Sequence, residues 1–174
     1  RIPPIVAAAL SVVLLSGLAA SPARGQDRAP RVHPDIQVRD GFELTIVQAD
    51  LRAPRFMELG PDGTLYVSLP RAGEIKACRD EDGDGYYESV KTFVSGRPSV
   101  HGLEWHDGEL WLTQSGSVHR AADTNNDGEA DRVTAVLEDL PSGGHWWRSI
   151  LIHNGRLYTS IGDSGNIKDE TETD

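Results

Sequence analysis

The chain has 174 residues, 38% of them hydrophobic, and a formal net charge of −10 at pH 7. Such an acidic balance repels the phosphates of nucleic acids and anionic lipids, so it argues against a nucleic-acid partner. A single cysteine, Cys78, excludes an intramolecular disulfide framework, and its expected role is that of a small buried hydrophobe.

Residues 1–25 have the order of a secretory signal peptide. Arg1 precedes an apolar stretch over 5–20, and small residues follow before polar Gln26. The stretch is short for a membrane span, which takes about 20 residues, so we expect cleavage and no stable membrane insertion. The mature chain is predicted to begin near Gln26, to be periplasmic or secreted, and to carry a net charge of −12 because two arginines are removed.

A strand is predicted over 42–48, where Leu44 and Ile46 alternate to give one apolar face. No long helical period appears after residue 26, which favours an all-β fold. We expect this strand to close a ring of sheets by pairing with a sheet that later sequence forms.

Two interleaved repeats follow. Segments that begin at Pro61, His106 and His153 hold Asp-Gly or Asn-Gly before an alternating strand pattern, and they lie 45 and 47 residues apart. Acidic segments that begin at Asp80 and Asp123 lie 43 residues apart. One period of roughly 40 to 50 residues is typical of the four-stranded blade of a β-propeller.

The repeats predict about two and a half blades, with residues 26–174 as a partial propeller truncated at the C-terminus, since a propeller has about 4–8 blades. The predicted strands of the first blade are 55–59, 64–69, 74–79 and 89–94. Those of the second are 102–105, 109–114, 117–122 and 132–137, and those of the third are 149–152 and 156–161.

The first strand of each blade begins with a residue that can carry chemistry. Counting back from the three turns places Arg55, His101 and Arg148 at one mouth of the channel, with His145 beside them. Polar groups that converge from different blades are what a binding pocket needs, although solvated rim residues are the alternative. A histidine titrates near neutral pH and can take a proton, an arginine can stabilise developing charge, and Gly144 permits close backbone approach to a ligand.

The acidic repeats are predicted to form cation-binding loops, which lie away from the channel mouth. Carboxylate and amide oxygens one residue apart, followed by glycine and a further acid, suit Ca²⁺. The candidate ligands are Asp80, Asp82, Asp84 and Glu88 in the first loop and Asp123, Asn125, Asp127 and Asp131 in the second. A solvated acidic turn, with Asp and Gly chosen for turn geometry alone, is the alternative.

The motifs resemble those of the sugar dehydrogenases that depend on pyrroloquinoline quinone (PQQ), of the glucose/sorbosone dehydrogenase type, and chiefly their sorbosone and pyranose dehydrogenase branch. The resemblance spans about 41–166. It rests on Leu140-Pro141-Ser142-Gly143-Gly144-His145, on Leu157-Tyr158-Thr159-Ser160-Ile161-Gly162-Asp163-Ser164-Gly165-Asn166, on Pro54-Arg55-Phe56-Met57, on the Asp-Gly-Asp-Gly loop and on Val100-His101-Gly102-Leu103.

The resemblance implies a six-bladed propeller that binds PQQ and Ca²⁺ over the channel mouth. His145 would be the general base for the anomeric hydroxyl of a sugar, assisted by Arg148, while hydride passes to the quinone. His101, Arg55 and Gly144 would contact the cofactor. The implied partners are a sugar and an electron acceptor such as a cytochrome or quinone, and the remaining cofactor ligands would follow Asp174, so the fragment alone is expected to be inactive.

One departure concerns the substrate. Soluble glucose enzymes have an acidic residue directly before the catalytic histidine, where this chain has Gly144, which argues against glucose. Two alternatives stay open: a calcium-dependent hydrolase of the gluconolactonase type, and a non-catalytic binding propeller stabilised by calcium.

Overall fold

The computed structural model of the chain describes residues 36–145 and 148–162, together with the backbone of 31–32. The predicted signal peptide, 1–25, lies outside these residues. All elements within them are β-strands, and none of the described residues forms a helix long and apolar enough to cross a membrane. Two four-stranded antiparallel sheets and a hairpin follow one another, which confirms the predicted all-β partial propeller.

The strand bounds agree closely with the sequence prediction. The first pair is β1 (Arg31–Val32) and β2 (Thr45–Ile46). Blade 1 consists of β3 (Met57–Leu59), β4 (Leu65–Leu69), β5 (Glu74–Arg79) and β6 (Ser89–Val94). Blade 2 consists of β7 (Leu103–His106), β8 (Glu109–Gln114), β9 (Ser117–Ala122) and β10 (Arg132–Leu137). Blade 3 is the hairpin β11 (Ile150–His153) and β12 (Arg156–Thr159). Within the blades, five strands match their predicted bounds and the others differ at their ends by one or two residues.

The middle strands of blade 1 are apolar on both faces because blade 2 covers one face and Leu51 packs against the other. In β4, Tyr66 faces blade 2, while Val67 and Leu69 join Cys78 on the other face. Leu110 and Leu112 of blade 2 are fully buried in the core between the blades, and each such burial stabilises the fold by about 1.5–3 kcal/mol. That core consists of Tyr66, Ile75, Ala77, Phe93, Val94, Val100, Leu103, Leu110, Leu112 and Ala121.

The turns after the first strands of blades 2 and 3 explain why Asp-Gly and Asn-Gly recur. Asp107 and Gly108 have φ of 49° and 79°, and Asn154 and Gly155 have φ of 49° and 68°. Two consecutive left-handed residues make a type I′ turn, whose twist matches that of the flanking strands.

The strand predicted over 42–48 is shorter in the structure, where β2 pairs with β1. Beside it, the carbonyl of Val47 accepts a 2.8 Å hydrogen bond from the backbone N–H of Tyr87. The carbonyl of Phe93, in the outermost strand of blade 1, accepts the same 2.8 Å bond from Ala130 of blade 2. Val47 therefore lies against blade 1 as an outermost strand of a neighbouring blade would, while ring closure through this segment stays a prediction.

Candidate functional site

The three predicted inner-strand residues occupy the same position in their blades. The backbone N–H of the following residue donates to a hydroxyl on the next strand: Phe56 to Ser68 at 3.1 Å, Gly102 to Thr113 at 2.9 Å and Ser149 to Ser160 at 3.0 Å. Because the three bonds are alike, Arg55, His101 and Arg148 are equivalent. We call these residues, together with the segment 141–145, the histidine rim.

The three hydroxyl residues were missed by sequence reasoning. Ser68, Thr113 and Ser160 lie 45 and 47 residues apart, the spacing of the turn repeat, so the signal was present in the sequence. Ser68 and Thr113 are fully buried. A buried hydroxyl that bonds the backbone of the inner strand holds the start of that strand in register.

His101 is buried between blades. Its ring lies 4.5 Å from that of Phe56, centroid to centroid, and its Nδ1 lies 3.1 Å from the carbonyl oxygen of Arg148. Burial lowers the pKa of His101, the Arg148 carbonyl opposes this effect, and the charge of Arg55 adds to it. The ring is therefore neutral at pH 7, and since a carbonyl only accepts, Nδ1 carries the proton and Nε2 is the acceptor nitrogen.

Arg148 turns its guanidinium into the protein. The residue is 1% exposed. Its Nη1 donates to the carbonyl of Ser160 at 3.3 Å and its Nη2 donates to the carbonyl of Pro141. Its Nε is buried and has no hydrogen-bond partner among the described residues. The predicted role of Arg148 in stabilising charge on a substrate stays a prediction.

His145 is exposed and lies on the loop that ends at Arg148. Gly143 and Gly144 precede it with φ of 107° and 57°, which L side chains rarely adopt. Gly162 packs against the backbone carbonyl of His145 so closely that a Cβ there would collide with it. Trp146, Trp147 and the motif from Asp163 onwards lie outside the described residues.

The structure thus places His101 in contact with the backbone of Arg148 and within electrostatic reach of Arg55. Arg55 acts electrostatically on His101, and His101 bonds the backbone of Arg148, three residues from His145. These residues come from three different blades, as the repeat predicted.

The acidic loops lie at the opposite ends of the strands, and we call them the acidic rim. In the first loop, the two carboxylate oxygens of Asp80 accept bonds from the N–H groups of Gly83 and Gly85, at 2.8 and 2.9 Å. Carboxylate oxygens of Asp80, Asp82 and Glu88 lie within 4.8 Å of one another. Asp84 is not in this group.

The second loop repeats the backbone of the first. Asp123 accepts from the N–H of Gly128 at 2.8 Å, as Asp80 does from Gly85, and Asp131 closes the loop onto Thr124 as Glu88 does onto Glu81. Hydrogen bonds from the hydroxyl and backbone N–H of Thr124 lower the pKa of Asp131. Among the candidate ligands the functional group differs at one place, since Asn125 has an amide where Asp82 of the first loop has a carboxylate.

Comparison with known proteins places the chain in a family. The family model described as "Domain of unknown function (DUF7133)" matches residues 31–172. The chain belongs to this DUF7133 family. No curated protein matches it.

Solved structures show the same fold at low sequence identity. The PQQ domain of pyranose dehydrogenase from Coprinopsis cinerea, in its holo form, has a TM-score of 0.67 and 20% identity, and the match covers 79% of this chain and 34% of that one. Calcium and iodide structures of a Trichoderma reesei member of Carbohydrate-Active Enzymes Family AA12 have TM-scores of 0.64 and 0.63, with 21% identity. Each of these matches covers 79% of this chain and 35% of the other. This DUF7133 chain therefore spans about a third of the length of these structures.

Proposed function

We propose that the full-length protein is a PQQ-dependent oxidoreductase that oxidises an aldose or ketoaldose at its anomeric carbon. The observation that carries the proposal is the histidine rim, where equivalent positions of three blades hold Arg55, His101 and Arg148 beside exposed His145. The fold, shared with a pyranose dehydrogenase PQQ domain, supports it.

The rim fits PQQ by charge and by hydrogen-bonding capacity. PQQ carries carboxylates and quinone oxygens, which accept hydrogen bonds and favour cationic neighbours. The guanidinium of Arg55 would bind these oxygens, and the backbone at Gly144 would lie close to the cofactor. Nε2 of His101, an acceptor, would accept a hydrogen bond from the pyrrole N–H of PQQ. When bound, PQQ supplies the two-electron oxidant. A gluconolactonase-type hydrolase instead needs carboxylate and amide ligands for a metal at this place, and the predicted rim set contains none.

His145 would take the proton from the anomeric hydroxyl. Its side chain is exposed, so it can reach a sugar in the channel mouth. A positioned imidazole that accepts a proton in the transition state contributes about 10²–10⁴-fold to a rate. The sugar loses one hydride and one proton, and His145 accounts for the proton.

We propose a structural role for calcium at the acidic rim. Asp80, Asp82 and Glu88 offer converging hard oxygens, as Ca²⁺ prefers. Since this rim lies at the other end of the strands from His145, ions bound there would stabilise the blades rather than take part in the reaction. Ligands for a calcium ion beside PQQ would come from other parts of the protein.

The proposed setting is the periplasm or the exterior of the cell, with a cytochrome or a quinone as electron acceptor. The acidic balance of the chain, with a net charge of −10, favours a partner with a basic docking surface.

The test uses the full-length exported protein, purified without cofactor. PQQ and Ca²⁺ are added, and reduction of an artificial dye is followed across a panel of aldoses and ketoaldoses. We expect dye reduction that needs both PQQ and a sugar. The absence of dye reduction together with the absence of tight PQQ binding would overturn the proposal and leave the non-catalytic propeller.

A further inference from the structure

The guanidinium of Arg148 joins two separate parts of blade 3. Nη2 donates to the carbonyl of Pro141, where the loop that carries His145 begins, and Nη1 donates to the carbonyl of Ser160, just after β12. Arginine presents several N–H groups in a rigid fork, which allows one side chain to bind two carbonyls at once. The buried side chain thus fixes the entry of the loop to the blade.

The backbone of Arg148 fixes the other end of the same loop. Its carbonyl oxygen accepts from the N–H of Gly102, from Nδ1 of His101 and from the hydroxyl of Thr113, each at 3.1 Å. All three donors belong to blade 2. Arg148 therefore anchors the loop at its start through the side chain and at its end through the backbone.

The loop closed by these contacts carries His145. The N–H of Leu140 donates to the carbonyl of Gly116 at 2.9 Å, and Gly162 packs against the His145 backbone. Because the His145 side chain is exposed, little side-chain packing holds it, and the position of its imidazole depends on the conformation of the backbone. Without the hydrogen bonds made by Arg148, the two glycines before His145 would allow the loop many conformations.

We infer that Arg148 is a positioning residue, which holds the backbone of the His145 loop in one conformation instead of contacting the substrate. The inference rests on the proposed function for the role of His145. The contacts of the guanidinium carry it, because both partners that the structure gives this group are backbone carbonyls of the loop and of the adjoining strand end.

The first test measures the loop directly and needs no activity. Hydrogen exchange is compared in the full-length protein, in Arg148→Lys and in the control Arg156→Lys, an exposed arginine of the same blade. A lysine keeps the charge but has no fork, so we expect faster exchange of the amides at 142–145 in Arg148→Lys alone. Unchanged exchange in that variant would overturn the inference.

The second test is a double-mutant cycle with His145→Ala, read as turnover per bound PQQ. We expect Arg148→Lys to lower kcat by about tenfold or more with PQQ affinity within about threefold, and to cost nothing further when His145 is absent, since residues that act as a unit are not additive. An equal loss in the His145→Ala background would show that Arg148 acts without His145 and would overturn the inference.

If the proposed function is wrong, the unmodified protein does not reduce the dye. The hydrogen-exchange experiment needs no activity, so it still tests whether Arg148 positions the loop. If Arg148→Lys does not fold, Gly162→Ala is the second variant. Its Cβ collides with the His145 carbonyl and therefore displaces the same loop. This variant must then give the same kinetic and exchange pattern, and normal turnover with normal exchange in it counts against the inference.

Discussion

The backbone contacts repeat from blade to blade at both rims, but the side chains repeat at the acidic rim and vary at the histidine rim. At the acidic rim, the second loop repeats both the backbone contacts and most of the side-chain chemistry of the first. At the histidine rim, the hydroxyl contacts of Ser68, Thr113 and Ser160 recur, but the side chains they position differ. A repeated scaffold that presents unlike groups is what an asymmetric ligand requires, whereas like groups on a like scaffold suit a stabilising role.

The largest effect that separates the rims is expected from His145→Ala. Turnover should fall by about 10²–10⁴-fold because a general base is lost, while PQQ binds with nearly unchanged affinity. The matched control is His153→Ala, an exposed histidine at the other end of β11. Steady-state kinetics with dye reduction measure both. Full turnover in His145→Ala would remove this residue from the base role.

The next effect concerns stability, through the hydroxyls of the histidine rim. The Thr113 hydroxyl bonds Gly102 within its blade and the carbonyl of Arg148 in the next blade. The hydroxyl of buried Ser68 bonds Phe56 of blade 1 and no other described residue. Thr113→Val keeps the shape but removes the hydrogen bonds of the hydroxyl to Gly102 and to the Arg148 carbonyl. Since one such bond contributes about 0.5–1.5 kcal/mol, we expect a loss of about 1–3 kcal/mol in the free energy of unfolding.

Ser68→Ala is the comparison variant and should cost less, because no contact between blades is lost. Denaturant unfolding of the full-length proteins measures the difference. Equal costs for the two variants would mean that the bond from Thr113 to blade 3 contributes nothing.

Much of the fold could be predicted because two independent signals share one period. The Asp-Gly and Asn-Gly turns fixed where strands begin, and five strands were predicted with their observed bounds. The segment around Val47 was harder, since its observed partner Tyr87 lies in another blade and only the structure pairs them.

The site was predictable in position but not in orientation. Register placed Arg148 at the histidine rim, yet its guanidinium points inward, because the backbone carbonyls of Pro141 and Ser160 offer it better partners than water. No sequence pattern specifies such a rotamer. Similarly, the carboxylate of Asp84 accepts from the N–H of Tyr86 at 2.7 Å and lies outside the group formed by Asp80, Asp82 and Glu88, so its role as a metal ligand stays a prediction.

The two acidic loops allow a reciprocal exchange of ligands. Asp82→Asn gives the first loop the amide of the second, and Asn125→Asp gives the second loop the carboxylate of the first. Since calcium affinity follows the number of charged ligands, we expect calcium to bind about tenfold more weakly to Asp82→Asn and about tenfold more tightly to Asn125→Asp, a change of about 1.4 kcal/mol in each case.

Thermal unfolding of the full-length protein over a calcium titration, with a chelated sample as the baseline, reports both changes. A thermal midpoint that does not change with calcium concentration in the unmodified protein, in Asp82→Asn and in Asn125→Asp would contradict a structural role for calcium. An effect in only one variant would assign the ion to that loop.

The smallest expected effect is a pH dependence on the blade 2 side of the histidine rim. His119 is buried in β9, with its Nε2 at 2.9 Å from the hydroxyl of Ser117. Burial lowers the pKa of His119, the charge of Arg97 lowers it further, and Glu138 opposes them. The folded state therefore resists protonation, and when the pH falls below about 6.5 the unfolded chain takes up a proton that the folded chain refuses. Stability from this group is present above that pH and is lost on acidification.

His119→Gln, which keeps a polar partner for Ser117, should flatten the fall in thermal midpoint between pH 7.5 and pH 5 as measured by calorimetry. An identical slope in both proteins would mean that His119 is not a source of acid sensitivity.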